Sequence, residues 1–391
     1  MQAPIQRDVA SKPRSAPAPR VLQLLPDRMP TAAVAQSVAL SAHLDRQGGG
    51  LTVAGGNAHT IAALNRAKVA HRSADLSSAG LFQSSKTQAL LEYTGRDGTD
   101  LVHLHGLDCA PAARAIADAT GLPLVMSCPE LPKAGGLLGK RSARRALVGR
   151  PVVVPSAYAG ICLGRDFGLA RDEITVVPPG IDIDAFNENT ISQERTIALA
   201  ERWALLDDPR EVILVTHASS DPARLNWILE CAADIGAPDA IWVLIGNVDD
   251  PATDDTVTFG LDRSGLGGRV RWYRQCPDFA AAYKLASVVI SLPTARDSIH
   301  HHALQAQAMG RPVIVPDSGT GPEALLPGKT GWQIRHNDGG SLFYAVSAAI
   351  GREQVVRIAT SAAAREFIDA RFSMSAYQTG MLRSFQRALR S

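Results

Sequence analysis

Two doubly wound α/β domains facing each other are what this chain predicts, on three observations. Short apolar runs alternate with amphipathic helices along most of its length, the alternation falls into two successive series, and 391 residues with 46% apolar content suffice for two cores. The first nineteen residues are Ala, Pro, Ser and Arg without apolar periodicity and read as a disordered lead-in. From Arg20 the first series runs through "RVLQLLP", a helix from about Ala33 to Gln47, then "GLTVAGG", "DLVHLHG", the Ala-rich helix "APAARAIADATG", "LPLVMSC" and "RPVVVPS". After the polar stretch "AFNENTISQER" the second series brings "EVILVTHA", a helix around Asn226 to Ile235, "AIWVLIG", "RVRWY", the helix "DFAAAYKLA" and "SVVISLP". A helix "HHHALQAQAMG", the strand "RPVIVPD" and a helix opening at "GPEALL" complete it. The spacing gives boundaries of 1–19 for the lead-in, 20–188 and 189–370 for the two domains, and 371–391 for a last helix, expected to pack back toward the first domain. Apolar Phe372, Met374, Tyr377, Met381 and Phe385 line one face of that helix.

Composition narrows the function classes. A net charge of +2 from well-mixed signs gives no basis for a nucleic-acid surface. No apolar run approaches the ~18 residues of a membrane span, and no signal pattern opens the chain, so a cytoplasmic protein is expected. The five cysteines are scattered without a Cys-x-x-Cys pair, and read as reduced, mostly buried thiols.

The chemistry concentrates at "TARDSIHHHALQAQAMGRPVIVPDSGTGPE", residues 294–323. A helix starting there turns its free N–H groups and positive dipole end toward the carboxyl edge of the sheet, where a phosphate is well received. The next strand ends at Gly319 and Gly321, which let backbone approach a ligand, and Pro322 suits a first helical position. Two adjoining anion-accepting corners fit a diphosphate, and they also fit the ordinary turns of any α/β domain. Asp297 and Gln305 reach one ligand from the same side if one helix carries both, though Asp297 alone reads equally as a helix N-cap. His300, His301 and His302 splay about 100° apart on a helix and cannot converge on one metal ion. His300 reads as a donor at the phosphate corner, and His301 and His302 as packing or solvent residues. In the first domain His103 and His105 share a strand face that ends at the cleft. They read as core histidines or as groups reaching a substrate hydroxyl. "GKRSARRALVGR" places Lys140, Arg141, Arg144 and Arg145 on a helix that is either a solvated face or a contact for an anionic membrane.

The order of these segments, with "VVVPSAYAGICLGRDFGLARDEITVVPPGIDIDAF", "AYKLASVVISLP", "ALQAQAMGRPVIVPDSGTGPE" and "GKTGW", resembles retaining glycosyltransferases of the two-Rossmann-domain type, GT-B, family 4. The resemblance runs from about Arg20 to the end of the chain. It implies transfer of a sugar from a nucleotide diphosphate to a glycan or lipid-linked acceptor, donor on the second domain and acceptor on the first, with no cofactor and no metal required. It implies Asp297 beside the transferred sugar, Gln305 on the ribose, the Ser298, Ile299 and His300 backbone at sugar and diphosphate, and Gly319 to Glu323 as the Gly-x-Pro-Glu turn. Gly246 is a further implied donor contact. Departures are equally clear. The family's second Glu is Gln305, and its Arg and Lys fall on Ala218 and Ala223, which leaves Arg224, Arg274 and Arg296 as candidate counter-charges for the leaving diphosphate. Two rivals therefore stand beside an envelope or exopolysaccharide transferase with Asp297 and Arg224 as catalytic residues: a silent nucleotide-sugar-binding partner of a polysaccharide machine, and an epimerase or hydrolase on the same architecture.

Overall fold

The structure is a computed structural model that describes residues 19–27, 29, 31–55, 57–74, 91, 98–108, 110–132, 136–216, 218, 222–235, 240–246, 257, 261, 265–293 and 299–390. Two all-parallel sheets organise it. The first has seven strands in the order β3-β2-β1-β4-β5-β6-β7. Its central members are β1 (Val21–Leu25), β4 (Leu101–His105), β5 (Leu124–Ser127) and β6 (Val152–Val154), flanked by β2 (Gly50–Ala54), β3 (His71–Ser73) and β7 (Ile174–Val176). The second sheet, six strands in the order β10-β9-β8-β11-β12-β13, contains β8 (Glu211–Thr216), β9 (Ala240–Ile245), β10 (Val270–Tyr273), β11 (Ala286–Ser291), β12 (Val313–Pro316) and β13 (Gly331–Ile334). β1, β4, β8 and β9 are near-continuous Val, Ile and Leu, the signature of strands covered on both faces. Strand order reverses beside β1 in one sheet and β8 in the other, and at such switch points parallel sheets open a crevice at their carboxyl ends.

The chain crosses between the domains twice, and the crossings lie side by side: Ile181 N–H donates to Phe372 O at 2.6 Å, and Met374 N–H to Ile181 O at 3.1 Å. Ser373 sits between two helices, Gln354–Phe372 and Met374–Ala388, and its hydroxyl caps the second by accepting from Ala376 N–H. That break corrects the expected last helix. Phe372 belongs to the preceding element, where it packs with Phe367 and Ile368, while Tyr377, Met381 and Phe385 join Val21, Leu40, Leu101, Val125 and Val153 of the first domain. The helix expected at "GPEALL" is a single 3-10 turn, Gly321–Glu323. The helix near residue 300 starts at His301 and ends at Ala308, with His300 as its cap. Among the described residues no helix is long and apolar enough to cross a membrane.

Candidate active site

A cavity of about 360 Å³ lies where the carboxyl ends of the two sheets face each other. From the first domain it is lined by Gln36 and Ser37 of the helix Thr31–Arg46, by His105 closing β4, by Ser127 and Cys128 closing β5, and by Glu130. Pro293, Ile299 and His301 face them from the second domain, and Tyr377 and Met381 of the last helix complete the wall.

The first-domain wall is a buried polar network in which His103 Nδ1 is left without a hydrogen-bond partner. His105 Nδ1 pairs with Ser37 Oγ at 2.8 Å and its Nε2 with Gln23 Oε1 at 3.1 Å, while Gln23 Nε2 donates to Ser41 Oγ at 2.7 Å. With Gln23 accepting, Nε2 of His105 carries the proton and Nδ1 accepts from the Ser37 hydroxyl. Burial makes a charged ring unfavourable there and pushes the His105 pKa down to about 3. His103 lies 4.1 Å from His105, centroid to centroid, edge-on to Phe385, with Nε2 2.8 Å from Ser127 Oγ. It is wholly buried, and burial, then the neighbouring His105, holds its pKa well below the ordinary imidazole value. Of the two acceptor-side candidates, His105 therefore reaches the cavity and His103 is enclosed behind it. Cys128 lines the same wall, and burial pushes its thiol up to about 12, so it stays protonated there.

On the second domain, Asp297, Ser298 and Arg296 lie outside the described residues. Of the other candidates Ile299 lines the cavity, while Arg224, His300 and Gln305 turn inward. Arg224, on the helix Pro222–Asp234, donates through Nη1 to Leu292 O at 2.6 Å, just past the end of β11. His300 is buried, its Nδ1 3.2 Å from Ser291 Oγ, and its backbone oxygen accepts the N–H of Leu304. Gln305 accepts through Oε1 from the Tyr283 hydroxyl at 3.0 Å, and that hydroxyl also meets His302 Nδ1 at 2.6 Å. Tyr283 is buried and its pKa is raised well above the phenol value, so it remains a donor. Gly246 follows β9 where a Cβ would lie 2.9 Å from the Trp272 ring and 3.0 Å from Arg274 O. A side chain there would displace β10, and half-buried Arg274 stands beside it at the same edge. Ala218 is fully buried in the second core, whereas Ala223 is exposed on the first turn of its helix.

The turn after β12 is shaped by glycine. Gly319 has φ +67°, and a Cβ on Gly321 would sit 1.9 Å from Pro316 O, so only glycine closes this loop. The tight turn aims Glu323 across the cleft. Its carboxylate accepts from the Ala157 N–H at 2.8 Å and the Tyr158 N–H at 2.9 Å, the first turn of the first-domain helix Ala157–Phe167. The resemblance placed Glu323 at the donor; here both oxygens cap the positive end of a helix in the other domain. Several lining residues escaped the sequence reading, Gln36 and Ser37 among them. His301, read as a packing or solvent residue, lines the cavity, and Glu130, three residues past β5, does so too. The position of Glu130 just beyond a strand end was the available signal. Among the described residues no group of three His, Cys, Asp or Glu side chains is placed to hold a metal ion.

Two facing parallel sheets with a cavity between their carboxyl ends define the GT-B architecture. The sequence matches the "Glycosyltransferase Family 4" model over residues 36–185 and the "Glycosyl transferases group 1" model over residues 210–351. A Rickettsia africae glycosyltransferase superposes with a TM-score of 0.83 at 16% identity, covering 96% of this chain and 99% of that one. Anabaena HepE in complex with UDP-glucose superposes with a TM-score of 0.76 at 13% identity, covering 94% and 99%. A D-inositol 3-phosphate glycosyltransferase of Mycobacterium sp. (strain KMS) is 28% identical over 184 residues, 46% of this chain, which spans only 40% of that relative's length. The chain belongs to the GT-B glycosyltransferases of the family 4 type.

Proposed function

We propose that the chain transfers a sugar from a nucleotide-diphosphate sugar, held at the carboxyl edge of the second sheet, to a hydroxyl of a glycan or lipid-linked acceptor in the 360 Å³ cavity. The cavity carries this reading, because residues of both domains close it and an acceptor there faces the edge on which the donor is expected. A bond forms between the anomeric carbon and the acceptor oxygen, the bond to the diphosphate breaks, and the acceptor proton passes to a leaving phosphate oxygen on the same face. The anomeric configuration is thereby retained. Arg224 and Arg274 supply positive charge to the diphosphate, with Asp297 beside the sugar. No metal or cofactor is needed in this scheme, and the reaction belongs to envelope or exopolysaccharide synthesis on the cytoplasmic side. Lys140, Arg141, Arg144 and Arg145 are all exposed on the helix Gly136–Leu147, which supports peripheral contact with an anionic membrane face.

The test is a thermal-shift panel of UDP, GDP and ADP with their sugar conjugates, with and without magnesium or EDTA. Proton NMR of the product then gives the anomeric configuration. At a hundred times its dissociation constant a ligand adds ~2.7 kcal/mol, a clear rise in melting temperature. A rise that EDTA leaves in place supports the donor site. A flat panel favours the second reading, a silent nucleotide-sugar binder or partner, for which Ala218 buried in the core and Gln305 tied to Tyr283 already speak.

A further inference from the structure

A second pocket, about 210 Å³, opens at the other end of the second sheet, against the amino ends of β11 and β12. The six residues of β11 separate it from the cleft by ~20 Å at ~3.3 Å per residue. Four of its lining residues are cations, Lys284, Arg311, Arg352 and Arg357, and none is acidic. Ser287, Thr360 and Ser361 add hydroxyls.

The sequence concentrates this charge by position. Lys284 ends the helix Phe279–Leu285, Arg311 opens the approach to β12, and Arg352 and Arg357 flank the start of the helix Gln354–Phe372. Gly310, at φ +74°, brings the chain so close that a Cβ would lie 2.1 Å from Ser361 Oγ and 2.5 Å from Arg365 Nη1. Carboxylates offset only part of the charge. Glu188 is shared between Arg311 at 3.1 Å and Arg365 at 2.9 Å, and Glu211 pairs with Arg357. Nε of Arg311 is buried without a hydrogen-bond partner, an orphaned charged donor beside the pocket. Burial, opposed by Glu188 and reinforced by Arg365 and Arg357, pulls the Arg311 pKa below the guanidinium value, so the charged group is held there at a desolvation cost. An anion would relieve each of these costs at once.

We propose that this pocket binds a small soluble phosphate or phosphate monoester, at a site separate from the transfer cleft. The volume falls below the ~300–1,000 Å³ of pockets that enclose drug-sized ligands, so it suits a phosphate group with few atoms attached rather than a whole nucleotide. Arg352 and Arg357 are varied, since Lys284 and Arg311 hold the chain around Glu188; because Arg357 pairs with Glu211 and Arg352 donates to Thr360, a variant that keeps both arginines is tested beside them.

The experiment is a calorimetric titration of the whole chain with inorganic phosphate, and separately with glucose 6-phosphate, at constant ionic strength. The wild type is compared with the Arg352→Gln/Arg357→Gln double variant and with Arg224→Gln at the cleft. A third variant, Ser287→Asp, introduces a competing carboxylate while leaving every ion pair intact. The expected result is saturable binding of at least one probe by the wild type. Binding should weaken at least tenfold in the double variant and in Ser287→Asp, and persist in Arg224→Gln. Absence of saturable binding overturns the proposal. So does loss in Arg224→Gln with retention in the double variant, which would send phosphate to the cleft. Sedimentation with phosphatidylglycerol vesicles, lost in the double variant while soluble phosphate binds nowhere, would overturn it in favour of a lipid headgroup. None of these outcomes depends on whether the chain is an active transferase.

Discussion

The two walls of the cleft are built to opposite plans. On the first domain the polar groups bond chiefly to one another: His105 with Ser37 and Gln23, and His103 through Nε2 with Ser127 while its Nδ1 is left without a partner, in a buried network that keeps both rings neutral. On the second domain the polar candidates Arg224, Gln305 and Glu323 are held by protein groups. Arg224 holds a strand-end carbonyl, Gln305 a core tyrosine, and Glu323 the helix of the opposite domain. The first wall is a preformed polar surface whose groups bond to one another. On the second wall Arg224 and Glu323 hold backbone groups, and under the proposed function a donor must either share those partners or displace them.

Removing Arg224 strikes that contrast hardest. If its guanidinium meets the leaving diphosphate, Arg224→Ala should lower turnover on the order of 100-fold or more, since one donor at a developing charge is worth ~3 kcal/mol. The half-buried side chain should cost little in melting temperature. Unchanged turnover would show the arginine to be a strand-end brace and nothing more.

Acid should find the first wall next. His103 and His105 are neutral in the fold and take up protons in the unfolded chain near the ordinary imidazole value of 6.5. Stability is therefore level above ~pH 7 and falls as pH drops from about 6.5 toward 3, with a slope of ~1.4 kcal/mol per pH unit for each ring. His105 alone should cost about 2 kcal/mol between pH 8 and pH 5. Urea unfolding at those two pH values, with wild type beside His105→Gln, should show a clearly smaller loss in the variant. Equal losses would mean that the network tolerates a charged ring.

Glu323→Gln tests the contact between the walls. One amide oxygen replaces a carboxylate at a helix N-terminus, which should weaken the capping by about 1–2 kcal/mol. The expected signs are faster hydrogen exchange at Ala157 and Tyr158 and a raised KM for the donor. Exchange that does not change would show the interdomain cap to be dispensable. The smallest effect is expected from Tyr283→Phe. It removes the hydroxyl shared by His302 and Gln305 and should cost ~1 kcal/mol by calorimetry, with a shift in donor KM only if Gln305 must be held in place.

The fold was legible to the extent that its strands are apolar runs. β1, β4, β8, β9 and β11 stand out as such because they are covered on both faces. The edge strands β3, β7 and β13, with Arg72, Thr175 and Gln333 among their three or four residues, carry no such run and needed neighbours to define them. Ser373 escaped because an N-cap hydroxyl within a continuous amphipathic pattern changes the direction of a helix without interrupting its periodicity. At the site, the glycines at 319 and 321 were readable from their backbone demands. The destination of Glu323 was not, since its partners are 165 and 166 residues away and are backbone amides, which leave no trace in residue type.

The helix Met374–Ala388 has a bearing on how the molecule comes into being. Leu40, Leu101, Val125 and Val153 are sealed by Tyr377, Met381 and Phe385, residues made more than two hundred positions later. A nascent chain that has emerged as far as Ile174–Val176 has every strand of its first sheet but lacks the cover for one face. The second domain, whose strands run from Glu211 to Ile334 and whose core is drawn from Ile191 to Ala349, can finish while the first waits. The domain begun first is completed last, and during synthesis its bare apolar face is the surface a chaperone would meet.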